Sequence, residues 1–223
     1  MASHRTHGNT GNQMTIPFEE WDVPAVSAAE NTEKTTARRP EPANELDDPK
    51  PLPGEKKAAD RLLYYISIGS GSSGNCCYLG TRRGGILIDA GVKTDKVESV
   101  LTANGIKMSM VKAILLTHDH SDHVRYAYGI LRSHKHIRLF CTNRVVAGIL
   151  RRTSISKRIR EYHHAIFKEI PFRIGDFEIT AFDVPHDGSD NMGFSIGFDS
   201  RRFVLATDLG EVQARARHYM EQA

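Results

Sequence analysis

The chain has 223 residues, of which 39% are hydrophobic and 26% charged, a balance typical of one folded domain with an additional polar segment. No stretch approaches the roughly 20 apolar residues of a membrane span, and the start of the chain lacks the pattern of a secretory signal. The three cysteines, Cys76, Cys77 and Cys141, are too few for a disulfide framework and favour a reducing, cytoplasmic location.

Charge and proline divide the chain into two parts. Residues 1–60 contain 7 Lys/Arg and 11 Asp/Glu, a net charge of −4, whereas residues 61–223 contain 23 and 16, a net charge of +7. Seven of the nine prolines lie in the first part, which has few large apolar residues to bury. We therefore predict that residues 1–60 are disordered and that 61–223 form the folded domain, whose basic charge can attract nucleic acid.

Strands and helices alternate in the first half of the predicted domain. Strands are expected at residues 62–68, 76–79, 85–89, 111–116 and 137–141. Helices are expected at residues 94–104, 124–135 and 144–152. Residues 69–75 are too rich in glycine for either state, and Gly105 marks the end of the first helix.

The second half of the domain is richer in strands. They are expected at residues 172–174, 177–182, 193–198 and 203–206, and a last helix at 211–222. Strands with interspersed helices predict a layered α/β or α+β domain in which helices pack outside the sheets.

Residues 117–123 read Thr-His-Asp-His-Ser-Asp-His and directly follow the apolar strand at 111–116. Histidine and aspartate are the usual nitrogen and oxygen ligands of zinc and related metals. The i, i+2 spacing puts His118 and His120 on one side of an extended segment, and a turn after them can bring Asp122 and His123 to an adjacent point. The segment therefore predicts a metal site that could hold two ions.

Polar residues also lie at or just after the ends of three other predicted strands. They are His186, Asp208 and Asp89. A surface loop with chance histidines would predict no such ligands elsewhere, whereas metal sites are often assembled from residues at strand ends along one rim of a sheet. The metal-site interpretation is therefore favoured.

This pattern resembles the metallo-β-lactamase superfamily. The matching features are the His118-x-His120-x-Asp122-His123 signature, the Leu-Ile-Asp segment that ends at Asp89, and His186 and Asp208 in order. Within the superfamily the chain is most similar to the YycJ/VicX/WalJ branch of cytoplasmic metallohydrolases, on the glycine-rich segment 69–76, on 117–123 and on 207–210. The resemblance covers most of residues 62–212.

The resemblance implies a four-layer αββα sandwich with the site at one edge of its two sheets. It implies that His118, His120 and His186 hold one ion, that Asp122 and His123 hold a second, and that Asp208 bridges them. Asp89 would orient ligands, and a hydroxide held by the metal would be the nucleophile. Asp122, Asp208 and Asp89 are accordingly the candidate catalytic residues, and the cofactor is expected to be one or two Zn²⁺, with Mn²⁺ or Fe²⁺ as alternatives.

The sequence departs from the superfamily pattern in one respect. A further histidine usually reaches the second metal from a loop well after the bridging aspartate, but here the only later histidine is His218, within a predicted surface helix. We therefore expect a C-terminally incomplete domain that lacks a strand, a helix and one ligand.

Two weaker signals concern phosphate. Residues 69–75 could present backbone N–H groups to an anion, although a tight turn beneath the metal-binding segment is the favoured interpretation. A basic run without any acid spans residues 144–160 and could follow a nucleic-acid backbone, or could equally be a solvated surface. Its candidate nucleic-acid contacts are Arg144, Arg151, Arg152 and Arg158.

The leading functional hypothesis is a metal-dependent phosphodiesterase that acts on DNA, most simply an exonuclease, as the branch resemblance implies. One alternative is another hydrolase of the superfamily, of thioesterase or lactonase type. A second alternative is a degenerate metal-binding regulatory module. A membrane association is not expected, and the sequence names no protein partner.

Overall fold

The computed structural model describes residues 62–223, so the predicted disorder of 1–60 lies outside the described residues. A six-stranded sheet contains, in spatial order, β1 (Tyr64–Gly69), β2 (Cys76–Thr81), β3 (Gly84–Ile88), β4 (Val111–Leu115), β5 (Arg138–Cys141) and β6 (His163–Ala165). A four-stranded sheet contains β7 (Phe172–Ile174), β8 (Phe177–Asp183), β9 (Met192–Phe198) and β10 (Arg201–Leu205), with sequence neighbours paired. The α-helices are α1 (Thr94–Ala103), α2 (Ser121–Val124), α3 (Ala127–Ser133), α4 (Asn143–Arg151) and α5 (Ala214–Met220).

The strand directions bring several strand ends to one edge. Strands β3 to β6 are parallel, so β3 and β4 end on the same side of their sheet. In the second sheet β8 and β10 each pair antiparallel with β9 and therefore run in the same direction as each other. The loops after β3, β4, β8 and β10 are the ones in which polar residues were predicted to form a site.

Helices cover the outer faces of the two sheets. Along β8, Phe177 and Ile179 enter the main core, whereas Phe182 lies in a separate cluster with Ala216 of α5. The Phe182 ring also stacks on Tyr219 of α5 with 4.6 Å between ring centroids. Helices α1, α3 and α4 bury apolar residues in the main core with the six-stranded sheet. The predicted αββα sandwich is thereby confirmed.

Some elements differ from the sequence prediction. The helix expected at 124–135 is divided into α2 and α3, because the Tyr126 N–H donates to Ala90 O at 2.9 Å and not to a carbonyl of the preceding turn. Strand β6 and the 3₁₀ turn Lys157–Tyr162 before it were not predicted. Strand β6 has only three residues, His-His-Ala, and such a segment has no apolar alternation to reveal it.

Cys76, Cys77 and Cys141 are buried free thiols, as expected. None of the helices formed by residues 62–223 has the length and apolarity needed to cross a lipid bilayer.

Candidate metal centre

Three histidines converge where two sheets end. His118 and His120 lie in the segment after β4, residues 117–123, which we call the metal loop, and His186 lies in the loop after β8. One ring nitrogen from each of the three lies within 4.8 Å of the others. His186 Nε2 and His120 Nδ1 are 3.1 Å apart. Three imidazoles at this spacing could together hold a metal ion.

A second group of potential ligands shares His118 with the first. His118, His123 and Asp208 also have one ligand atom each within 4.8 Å of one another. His123 Nε2 lies 3.1 Å from Asp208 Oδ2 and 3.5 Å from Asp122 Oδ2. All six predicted ligands are therefore found at one edge of the sandwich, with Asp122 at the margin of the second group.

Asp89 and Thr117 fix the orientation of two buried rings. The carboxylate of Asp89 accepts from the Thr117 N–H at 2.9 Å and lies 2.8 Å from His123 Nδ1. Thr117 Oγ1 lies 2.9 Å from His118 Nδ1. Because Nδ1 of each ring is engaged by the protein, Nε2 of each ring faces the site. This is the arrangement in which outer partners orient metal-binding histidines.

Tight backbone geometry holds the loops around the site. Asp89 and Asp208 have φ values of 61° and 56°, a region that few non-glycine residues adopt and that recurs at functional sites. A Cβ on Gly91 would lie 1.5 Å from Asp122 O, so only glycine lets the loop after β3 approach the metal loop this closely. The Leu-Ile-Asp-Ala-Gly segment thus supplies both an orienting carboxylate and the space for the metal loop.

The pKa values of His118 and His123 are shifted in opposite directions. Burial lowers the pKa of His118 to about 4, and the neighbouring His123 ring adds to the shift, so His118 is a neutral ring with a lone pair. Burial also acts to lower the pKa of His123, but hydrogen bonds to Asp208 and Asp89 outweigh it and raise that pKa to about 10. The hydrogen bond from His123 in turn lowers the pKa of Asp208 to about 2.

The residues at this site fit a metal ion. His118 Nε2 is buried and has no hydrogen-bond partner among residues 62–223, although its Nδ1 is engaged. An unpartnered nitrogen in the interior is costly unless something binds it. Together with the carboxylates of Asp122 and Asp208, the nitrogen set is suited to zinc or a related transition metal.

A buried polar contact joins the metal loop to the loop that carries His186. Asp119 accepts from Ser189 N and from Ser189 Oγ, both at 2.8 Å. Burial acts to raise the pKa of Asp119, but these bonds and the charge of Arg152 lower it. The sequence alone assigned no role to Asp119. Its position between two histidines could have indicated that Asp119 belongs to the site, whereas nothing in the sequence around Ser189 indicated its part in this contact.

Three of the four arginines predicted to contact nucleic acid have partners within the protein. Arg151 donates to Ser189 Oγ at 2.7 Å, Arg152 lies 3.9 Å from Asp119 Oδ2, and Arg158 forms a two-point pair with Glu161. Arg144 is exposed on α4. Some arginines of the basic run therefore connect the end of α4 to the loop that carries His186 and to the metal loop. The contact of the run with nucleic acid stays a prediction.

The other histidines among residues 62–223 lie outside both ligand groups. His218 is exposed on α5 and lies 3.0 Å from Gln222, as expected of a surface helix residue. His134 pairs with Glu98, and His163 lies 2.9 Å from Cys141 O. His164 stacks on Phe140 with 5.2 Å between ring centroids.

The family model described as a beta-lactamase superfamily domain matches residues 85–223, and the chain belongs to this superfamily. Among solved structures it is similar to the class B3 di-zinc metallo-β-lactamase LRA-12 from an Alaskan soil metagenome, with a TM-score of 0.52 and 18% identity over 67% of this chain and 61% of that one. The subclass B3 enzyme MEM-A1 from a soil metagenome library gives a TM-score of 0.51 and 17% identity, over 66% and 60% of the two chains. At these identities the likeness shows the fold.

Curated relatives are similar in sequence as well. The chain is 31% identical over 159 residues to the exodeoxyribonuclease WalJ of Streptococcus pneumoniae, covering 71% of this chain and 59% of that protein. It is 26% identical over 161 residues to the exodeoxyribonuclease YycJ of Bacillus anthracis, covering 72% and 60%. The chain therefore spans 59–60% of the length of these relatives.

Proposed function

We propose that this protein is a metal-dependent phosphodiesterase that hydrolyses DNA as an exonuclease in the cytoplasm. The observation that carries the proposal is the convergence of His118, His120 and His186, together with a buried His118 Nε2 that has no hydrogen-bond partner among residues 62–223. The DNA substrate is supported by the names of the two curated relatives, both exodeoxyribonucleases, and by the basic charge of residues 61–223.

Each residue of the site has a proposed task. His118, His120 and His186 would hold one ion, and Asp122 and His123 a second, with Asp208 shared between the two. Asp89 would keep the His123 ring turned towards the site, because its carboxylate engages Nδ1. Asp89, Asp122 and Asp208 are the proposed catalytic carboxylates.

The cofactor is proposed to be Zn²⁺, with Mn²⁺ or Fe²⁺ as alternatives. Such an ion supplies a nucleophile at neutral pH by lowering the pKa of water and stabilises negative charge on a phosphoryl oxygen. The protein residues contribute by excluding solvent from His118 and His123, of which only 2% and 1% are exposed, and by holding their rings in fixed orientations.

The proposal is tested with purified protein and end-labelled DNA, compared with a generic thioester and a lactone. We expect DNA to be shortened from an end, chelator to abolish the activity, and Zn²⁺ or Mn²⁺ to restore it. Hydrolysis of the thioester or lactone without attack on DNA would favour the alternative hydrolase. Metal binding without any hydrolysis would favour the regulatory module.

A further inference from the structure

Asn75 ends the glycine-rich loop between β1 and β2 and contacts the metal loop with both its backbone and its side chain. Its N–H donates to Asp122 O at 2.7 Å, and its carbonyl accepts from Gly91 N at 2.9 Å. Its side-chain Nδ2 lies 3.1 Å from Asp122 Oδ2 and 2.9 Å from His123 Nε2. One residue thus touches both side chains proposed as ligands of the second ion.

The orientation of the Asn75 amide is fixed from within its own loop. Gly71 N donates to Asn75 Oδ1 at 2.9 Å, and Asn75 Nδ2 donates to Gly71 O at 3.2 Å. If the amide were rotated by 180°, Asn75 Oδ1 would face Gly71 O and the Asn75 NH₂ group would face the Gly71 N–H. Both hydrogen bonds would then be lost. Gly71 has a φ of 105°, which lets the loop fold back to make this pair. The donor nitrogen of Asn75 therefore faces Asp122.

We propose that Asn75 is a positioning residue for the second metal position. Its NH₂ group holds the Asp122 carboxylate from one side, while Asp89 holds the His123 ring from the other. An amide nitrogen with both hydrogens committed is not itself a metal ligand, so Asn75 acts through Asp122. The inference rests on the proposed function, because it presupposes that Asp122 and His123 bind an ion.

We expect Asn75 to affect the binding of the second proposed ion and not that of the first. Among the described residues, the contacts of Asn75 reach Asp122 and His123 but not His120 or His186. Loss of an outer partner of a metal ligand typically weakens metal binding by about 10–100-fold. Removal of the Asn75 amide should therefore weaken the second binding step and spare the first.

The test is a titration of the metal-free full chain with Co²⁺, followed by visible absorbance and calorimetry, for wild type, Asn75→Ala and Asn75→Leu. Leucine keeps the branched shape of asparagine without its donors. We expect the first binding step to stay within about threefold of wild type in both variants and the second to weaken by about 10–100-fold. The melting temperature without metal reports any general loss of stability.

Asn104→Ala is the matched control, because Asn104 Nδ2 donates to Val100 O at 2.8 Å at the end of α1, away from the metal loop. Both binding steps should be unchanged in this variant. An unchanged second step in both Asn75 variants would overturn the inference and leave the proposed function standing. Equal weakening of both steps would also overturn it, since this would assign Asn75 a general role in loop stability. A wild-type chain with no second step would overturn the second metal position, and the inference with it.

Discussion

At the scale of single residues, the site depends on which nitrogen of each buried ring the protein itself engages. Thr117 and Asp89 occupy Nδ1 of His118 and His123, so Nε2 of both rings points into the site. There His118 Nε2 has no hydrogen-bond partner among residues 62–223, and His123 Nε2 is paired with Asp208. The ligand atoms are thereby oriented before any ion binds, which reduces the conformational freedom that binding has to remove.

Replacement of any one histidine of the first group should release its ion. In His118→Ala, His120→Ala and His186→Ala, too few protein ligands remain for a four-coordinate site, so we expect metal content to fall by about one ion per chain and hydrolysis to be abolished. Metal content is measured by elemental analysis after gel filtration. His134→Ala, which removes a surface partner of Glu98, should keep its metal. Full metal content in His120→Ala would contradict the ligand assignment.

The orienting carboxylate should matter for both stability and metal binding. Asp89→Asn removes the charge beside His123 Nδ1 and disturbs the bonds to Thr117, at a residue that is only 2% exposed. We expect a loss of about 1–3 kcal/mol in the free energy of unfolding and about 10–100-fold weaker metal binding. Denaturant unfolding and metal titration measure the two effects. Asp95→Asn, an exposed carboxylate on α1, should change neither, and equal behaviour of the two variants would refute the role of Asp89.

The ligand residues could be predicted from the sequence because histidines and aspartates at this spacing, directly after a buried strand, form the donor set that a metal ion requires. The partners of those ligands could not be predicted. Asn75 and Ser189 reach the metal loop only because separate loops fold against it, and no spacing in the sequence indicates which backbone segments approach each other. The separation between Asn75 and Asp122 is 47 positions.

At the scale of elements, the site is made by loops that leave four strands at one edge. The loop after β3 meets the metal loop through the Ala90 N–H, which donates to His123 O at 2.7 Å. Gly91 then lies against Asp122 O. Packing of these two loops, more than any regular element, sets the spacing between the two ligand groups.

A methyl group at Gly91 should force these loops apart. Because the added Cβ would lie 1.5 Å from a backbone oxygen, Gly91→Ala should lower the free energy of unfolding by at least about 1–3 kcal/mol and weaken the second metal step. Thermal unfolding and Co²⁺ titration check both effects. Gly197→Ala in β9, where the nearest atom would be 3.6 Å away, is the matched control and should be nearly neutral. Wild-type stability of Gly91→Ala would mean that the two loops are not packed this tightly.

Most elements could be predicted because their patterns are local. The apolar run of β4 and the Gly105 stop after α1 were both confirmed. The prediction of one continuous helix over 124–135 was wrong, since a hydrogen bond from Tyr126 to Ala90, far away in sequence, divides it into α2 and α3. Strand β6 was missed because its pairing with β5, and not its composition, makes it a strand.

At the scale of the whole molecule, the arginines of residues 62–223 fall into two groups. Some arginines hold the protein together, as Arg151 does through Ser189. Others, such as Arg144 and Arg160, are exposed and able to meet a polyanion. A substitution that removes several of these arginines at once therefore mixes a structural effect with an effect on binding.

We expect substitutions in the two groups of arginines to have different effects on the salt dependence of DNA binding and on the rate of hydrolysis. The double variant Arg144→Ala/Arg160→Ala should bind DNA more weakly. The slope of the logarithm of the DNA-binding constant against the logarithm of the salt concentration should become shallower by about 0.9 for each phosphate that the variant no longer neutralises. Arg151→Ala with Arg152→Ala should in addition lower the rate with a small phosphodiester, since both arginines touch the Asp119–Ser189 pair that joins the two loops. Fluorescence anisotropy at several salt concentrations gives the slopes. An unchanged slope in the first pair would assign the basic run to a solvated surface.

We expect this chain to bind a transition metal through the histidines that meet at the edge of its sandwich. Elemental analysis of purified, folded protein, before and after dialysis against chelator, tests it most directly. We predict at least one tightly held zinc, manganese or iron ion per chain, removed by chelator and restored on titration, and absent from His120→Ala. The second ion should be held more weakly, because the described residues offer it one histidine of its own, His123, beside Asp122 and the shared Asp208. A folded wild-type chain that binds no transition metal at any concentration tested would show that these histidines do not form a metal site.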